Sequence, residues 1–143
     1  KHISDFVNLD MIQLHGDETI NDIKEIRSMI KKPVIKALPI GTDQDIKNFQ
    51  TIEEVCDMIL FDTKNGTGVS GGSGLSFDWS LLKDLKPKKK WMLAGGLNIS
   101  NVENALSITS APVVDVSSGV ETEKGVKCEK KIKNLITYLK NGT

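Results

Sequence analysis

Five short apolar runs punctuate the chain, and a stretch of helical spacing follows each one. The runs are Asp10-Met11-Ile12-Gln13-Leu14, Val34-Ile35-Lys36-Ala37-Leu38, Met58-Ile59-Leu60-Phe61-Asp62, Trp91-Met92-Leu93-Ala94 and Val113-Val114-Asp115-Val116. Each has strand length, and most lack a clean polar alternation. That pattern suits strands buried on both faces of a parallel sheet. Ile20, Ile23, Ile26 and Ile30 form an apolar stripe at helical spacing. Asp43 is placed to cap a helix carrying Ile46 and Phe49, and Asp78 one carrying Leu81, Leu82 and Leu85. Ser100 with Glu103 reads as a capping box before Val102, Ala105 and Leu106. Ile132, Leu135, Ile136 and Leu139 mark a final helix, while Pro33 and Pro112 stop helices just before strands. The order is βα repeated five times, without a linker or composition break. Such alternation implies a parallel sheet with right-handed crossovers, in a single domain over residues 1–143.

Two architectures accommodate five βα units. An open doubly wound sheet gathers its site at one switch point. A (β/α)8 barrel, which five units do not close, spreads its site over many strand ends. Here the polar and glycine signals follow at least four runs: His15-Gly16, Asp62, Gly95-Gly96 and Ser117-Ser118-Gly119. That distribution is barrel-like.

Asp62 ends its apolar run and precedes a glycine-rich stretch, Gly66 to Gly74, and a helix start at Phe77-Asp78-Trp79. A carboxylate at the carboxyl end of a buried strand is where α/β enzymes place an acid or base; the plainer reading is a turn residue. Ala94-Gly95-Gly96-Leu97-Asn98 and Ser117-Ser118-Gly119-Val120-Glu121 follow the last two runs. Glycines let backbone N–H groups approach an anion, and paired loops after the last two strands form the usual barrel phosphate site. Two tight turns without a ligand are the alternative. His15 reads either as a substrate contact or as a structural histidine. Asp115, inside the last run, is costly in a barrel interior unless paired or functional.

Lys and Arg total 19, as do Asp and Glu, so net charge offers no case for nucleic acid. The basic tract from Lys124 to Lys140 is interleaved with glutamates and reads as a solvated helix face. No apolar stretch reaches the ~20 residues of a membrane span, and no signal peptide is visible. Cys56 and Cys128 lack CxxC spacing and read as reduced thiols, which fits a cytoplasmic protein. With only His2 and His15 as imidazoles, a metal site is not expected.

Taken together, these strings resemble phosphoribosylanthranilate isomerase of tryptophan biosynthesis. The matching pieces are Gln13 to Glu18, Leu60-Phe61-Asp62-Thr63, Gly71-Gly72-Ser73-Gly74 with Phe77-Asp78-Trp79, Leu93 to Leu97 with Asn101-Val102, and Val114 to Glu121 with Gly125-Val126-Lys127. They run in family order over nearly the whole chain. The resemblance implies a (β/α)8 TIM barrel, of which this chain matches units 4–8. It implies an Amadori-type isomerisation of N-(5-phosphoribosyl)anthranilate to 1-(2-carboxyphenylamino)-1-deoxyribulose 5-phosphate, with no metal or organic cofactor. Asp62 matches the family's general acid. His15, Gly72, Gly95, Gly96, Asp115, Ser118 and Gly119 match positions expected to contact the phosphorylated substrate.

The family's base cysteine, on its first strand, and an arginine facing the anthranilate carboxylate have no counterpart here. About three βα units are expected to be missing, and the chain alone is expected to be inactive. Neither Cys56 nor Cys128 stands at the base position; Cys128 replaces a helix-capping Asp. A bare five-unit piece would expose two edge strands, inviting pairing with another copy as a homodimer. Two alternatives remain: a non-catalytic phosphate-binding fragment, and another phosphosugar barrel enzyme. The latter, such as an indole-glycerol-phosphate synthase relative, needs a lysine acid, for which Lys36 is the only inward candidate.

Overall fold

In the structure, a computed structural model, residues 2–63 and 79–141 are described. Four of the five apolar runs are strands: β1 (Ile12–Leu14), β2 (Val34–Ile40), β3 (Met58–Thr63) and β4 (Trp91–Ala94). They pair in parallel in the order of the chain, β1-β2-β3-β4. A doubly wound sheet reverses direction at its switch point; this sheet advances one way, as a barrel wall does. The fifth run differs from expectation. It joins the sheet through a single parallel bridge, Val114 to Leu93, with Leu93 N–H donating to Val113 O and Asp115 N–H to Leu93 O. Among the described residues it has a sheet neighbour on one side only, and a one-sided ladder stays short.

The helices are α1 (His2–Val7), α2 (Ile20–Ile30), α3 (Asp43–Ile46), α4 (Phe49–Val55), α5 (Val102–Thr109) and α6 (Glu129–Asn141). α2 starts at a reciprocal cap, in which Asp22 N–H donates to Thr19 Oγ1 and Thr19 N–H donates to the Asp22 carboxylate. Two expected caps are corrected. Thr42, not Asp43, is the N-cap of α3, and its N–H and hydroxyl both donate to Asp45. Its helix breaks before Phe49, which begins α4. At α5 the Ser100–Glu103 box is replaced by an asparagine pair: Asn98 N–H donates to Asn101 Oδ1, and Ser100 N–H to Asn98 Oδ1. Asp78 lies outside the described residues. The element after it is a single 3₁₀ turn, Trp79–Leu82. Two elements are unexpected: α1, and an antiparallel hairpin of β5 (Glu121–Glu123) and β6 (Val126–Lys127), turning at Gly125 with φ +84°.

Side chains alternate across each strand, and the two sheet faces differ. Val34, Leu38, Ile40, Ile59, Phe61, Trp91 and Leu93 face the helices and pack with Ile23, Phe49, Leu82 and Ala105. Ile35, Ala37, Leu60 and Ala94 form the opposite, concave face with Met58 and Met92. Lys36 lies two residues from Val34 and two from Leu38, so it shares their face, on the helix side. The expected inward lysine is therefore not inward. Its buried ammonium donates to Gly16 O at 2.6 Å and to Glu18 Oε2 at 2.9 Å.

That pair carries a pH dependence. The Lys36 hydrogen bond holds the Glu18 carboxyl below its ordinary value, against the opposing effect of burial. A depressed carboxyl stabilises the fold above its unfolded pKa, and that stability is lost as pH falls through the folded value. Glu18→Gln is expected to cost about 2 kcal/mol near pH 7, since Lys36 keeps the Gly16 carbonyl. Thermal melts should show the gap between the variant and the parent chain narrowing as pH falls below the ordinary glutamate range of about 4.3. A gap unchanged down to pH 3 would contradict the pairing.

Candidate active site

Asp62 sits at the carboxyl end of β3, on the concave face with Leu60. Its Oδ2 lies 3.1 Å from His15 Nε2, just beyond β1. The two side chains are about one-third and one-half exposed. The ring nitrogen and the carboxylate oxygen share one hydrogen bond, whose donor depends on the imidazole tautomer. His15 is therefore hydrogen-bonded to the Asp62 carboxylate at the rim, a contact that either reading of the histidine accommodates. The loop carrying it is held from behind. Gly16 N–H donates to the Glu18 carboxylate at 3.0 Å, and Lys36 ties the Gly16 carbonyl to the same carboxylate.

A cavity of about 450 Å³ opens at this rim, lined by Gln13, His15, Asp62, Gly95, Gly96, Asp115, Ser117 and Ser118 among others. Of the expected site residues, all but Gly72 and Gly119 thus meet in one place. Gly95 and Gly96 adopt φ of +97° and +65°, backbone that glycine reaches without strain. The N–H groups of Gly96 and Ser118 find no acceptor among the described residues. Ser118–Val120 is one 3₁₀ turn, too short to offer a helix dipole, so what the loop presents to the cavity is individual N–H groups.

Gly119 does not line the cavity. A Cβ there would lie 1.9 Å from Leu97 O and 2.9 Å from Asn98 Cβ. The glycine lets the two loops touch backbone to backbone. Gly72 lies outside the described residues, as does the rest of the Gly66–Gly74 stretch. Gln13 lines the cavity without having been expected there; its position two residues before His15 in a strand is the signal that could have found it. Neither cysteine reaches the cavity: Cys56 is buried before the amino end of β3, and Cys128 precedes α6. Among the described residues, no group of three or more His, Cys, Asp or Glu side chains is arranged to hold a metal.

The family profile described as N-(5'phosphoribosyl)anthranilate (PRA) isomerase matches residues 1–138. The chain belongs to the phosphoribosylanthranilate isomerase family. An N-(5'-phosphoribosyl)anthranilate isomerase from Beijerinckia indica subsp. indica is 46% identical over 119 residues, covering 82% of this chain and 54% of the relative. The crystal structure of the Thermotoga maritima phosphoribosyl anthranilate isomerase superposes with a TM-score of 0.83 at 37% identity, covering 97% of this chain and 65% of that one. A second phosphoribosyl anthranilate isomerase structure, in complex with reduced 1-(o-carboxyphenylamino)-1-deoxyribulose 5-phosphate, gives 0.78 at 33% identity, covering 97% and 63%. The chain thus spans a little over half the length of its curated isomerase relative. The parallel α/β sheet is of the isomerase family's TIM-barrel type. No helix of the described residues is long and apolar enough to cross a membrane.

Proposed function

We propose that this chain carries the acid and phosphate-binding part of a phosphoribosylanthranilate isomerase, corresponding to barrel units 4–8. The observation that carries the reading is the shared cavity: the Asp62–His15 pair and the Gly95-Gly96 and Ser117-Ser118 loops line the same space, in a member of that family. The substrate is N-(5-phosphoribosyl)anthranilate. Its phosphate sits against the loop N–H groups, which fixes the sugar with its ring oxygen toward Asp62. Protonated Asp62 gives its proton to that oxygen, the C1′–O bond breaks, and the anthranilate nitrogen becomes a Schiff base. A base then takes the C2′ proton, leaving an enolamine that tautomerises to the aminoketose. No cofactor is required, because each step moves only a proton. The site is cytoplasmic in this reading, and it has no role in nucleic-acid or membrane binding.

The base is not at hand among the described residues, since neither cysteine lines the cavity. It is assigned to barrel units matching the family's first three, supplied in cis or as a separate polypeptide. The open flank of β1 and the one-sided 113–116 segment are where such units, or a second copy, would pair. A lysine acid of the indole-glycerol-phosphate synthase kind is disfavoured, because no lysine lines the cavity among the described residues and Lys36 points to the helices.

The test is reconstitution. Alone, the chain should bind ribose 5-phosphate and show no loss of anthranilate-type substrate fluorescence. Mixed with the first three βα units of a relative, it should turn over. Full activity in the isolated chain would overturn the division of roles, and failure to bind the phosphate would overturn the reading of the loops.

A further inference from the structure

A phosphate monoester carries up to two negative charges, and the cavity proposed to hold it is lined by two carboxylates, Asp62 and Asp115. Among the described residues, no lysine or arginine lines it. N–H groups alone leave that repulsion uncompensated. One cation stands directly behind the lining. The hairpin of β5 and β6 doubles back and brings Lys127 Nζ to 2.9 Å from Ser117 Oγ, whose residue lines the cavity. The same ammonium is 2.5 Å from Glu121 Oε1. Lys127 is about half exposed, whereas the Glu121 side chain is mostly covered. Glu121 is fixed in turn, because its other oxygen accepts the Gly125 N–H at 3.0 Å.

Resting on the phosphate reading above, we propose that Lys127 is the cationic ligand of the phosphate site, and that Glu121 competes with the phosphate for it. The flexible four-carbon stem lets the ammonium swing between the carboxylate and an anion beside Ser117. When the site is empty, Glu121 holds Lys127 next to the loop. When phosphate enters, the ammonium serves both, or passes to the stronger charge. The hairpin thereby has a purpose beyond joining the last run to α6: it carries a counter-charge to a rim that, among the described residues, has no lysine or arginine of its own. The depressed carboxyl of Glu121, caused first by the Lys127 hydrogen bond and then by that of Gly125, fits a carboxylate held ionised for this contact.

A merely structural ion pair makes a different forecast, and two variants separate the two. Binding of ribose 5-phosphate and of inorganic phosphate to the full 143-residue chain is followed by ³¹P NMR titration, with unphosphorylated ribose added as a competitor to check that the phosphate group is what binds. Lys127→Met should weaken binding of both anions about tenfold, and Lys127→Arg should restore most of it. Glu121→Gln should do the opposite, tightening binding about threefold by releasing the ammonium. Melting temperatures of all three variants report whether the hairpin stays folded. Parent chain that binds phosphate with no change in Lys127→Met overturns this inference and leaves the phosphate site standing. So does a Glu121→Gln variant that loses affinity as Lys127→Met does. Parent chain that binds neither anion overturns the site and the inference together.

Discussion

Asp62→Asn in the reconstituted isomerase is expected to lower kcat by roughly 10²–10⁴-fold, the range for loss of a positioned general acid. The amide keeps the size of the carboxyl and still lines the cavity, but it has no acidic proton to give the ring oxygen. The effect belongs to the ring-opening step. Affinity for ribose 5-phosphate should stay within about threefold of the parent, because the loops at Gly95-Gly96 and Ser117-Ser118 are untouched. His15 is 3.1 Å from the same oxygen, so the amide can keep that hydrogen bond and the rim its shape. Steady-state kinetics on the reconstituted barrel measure both quantities. An enzyme indifferent to the substitution would remove Asp62 from the chemistry, and an equal loss of binding and turnover would make it a substrate anchor.

The second large effect concerns stability and falls one residue earlier. Phe61→Ala is expected to cost about 3–5 kcal/mol, as deleting a fully enclosed aromatic ring generally does. Phe61 is completely buried. Its ring meets Phe49 edge-on at 5.7 Å and Trp91 at 5.4 Å, joining α4, β3 and β4. A domain of this kind is stable by only about 5–15 kcal/mol, so the variant should lose a large share of its margin in denaturant unfolding. Phe61→Leu, which keeps most of the volume, should lose much less. A cost under about 1 kcal/mol for the alanine variant would mean that the helix side of the sheet is loosely packed. Phe61 and Asp62 point to opposite faces of one strand, so the ring that anchors β3 from outside also fixes where the Asp62 carboxylate stands inside.

Much of this was legible in the chain. Apolar runs without alternation mark strands covered on both sides, and β2, β3 and β4 begin at the residues where their runs begin. The Val113–Val116 run carried the same signal yet formed one bridge, because a ladder needs neighbours that the run itself does not encode. The caps failed for a related reason. Asp, Ser, Thr and Asn cluster before α3 and α5, and which of them bonds the helix depends on loop geometry. The hairpin at Glu121–Lys127 was hidden by its brevity and charge, although Gly125 offered a turn signal. Within the site, residues directly after strands were readable as a group, since a parallel sheet delivers them to one rim. Lys36 was misassigned because parity along a strand is local, whereas which parity faces inward is set by register between strands: Leu14 with Lys36, Asp62 with Ala94. That register is a tertiary property.

The contact between Gly119 and Leu97 bears on how such a protein can be recombined. The carbonyl of Leu97 occupies the space where any side chain at 119 would begin, so the loop after β4 and the loop after Val116 fit one another as halves of a mould. A chimaera that takes one loop from a distant relative and the other from this chain would join surfaces never shaped together. The smallest exchangeable block runs from Trp91 through Val120, and crossover points inside it should yield chains that fold around β2 and β3 yet have lost the fit between the two loops.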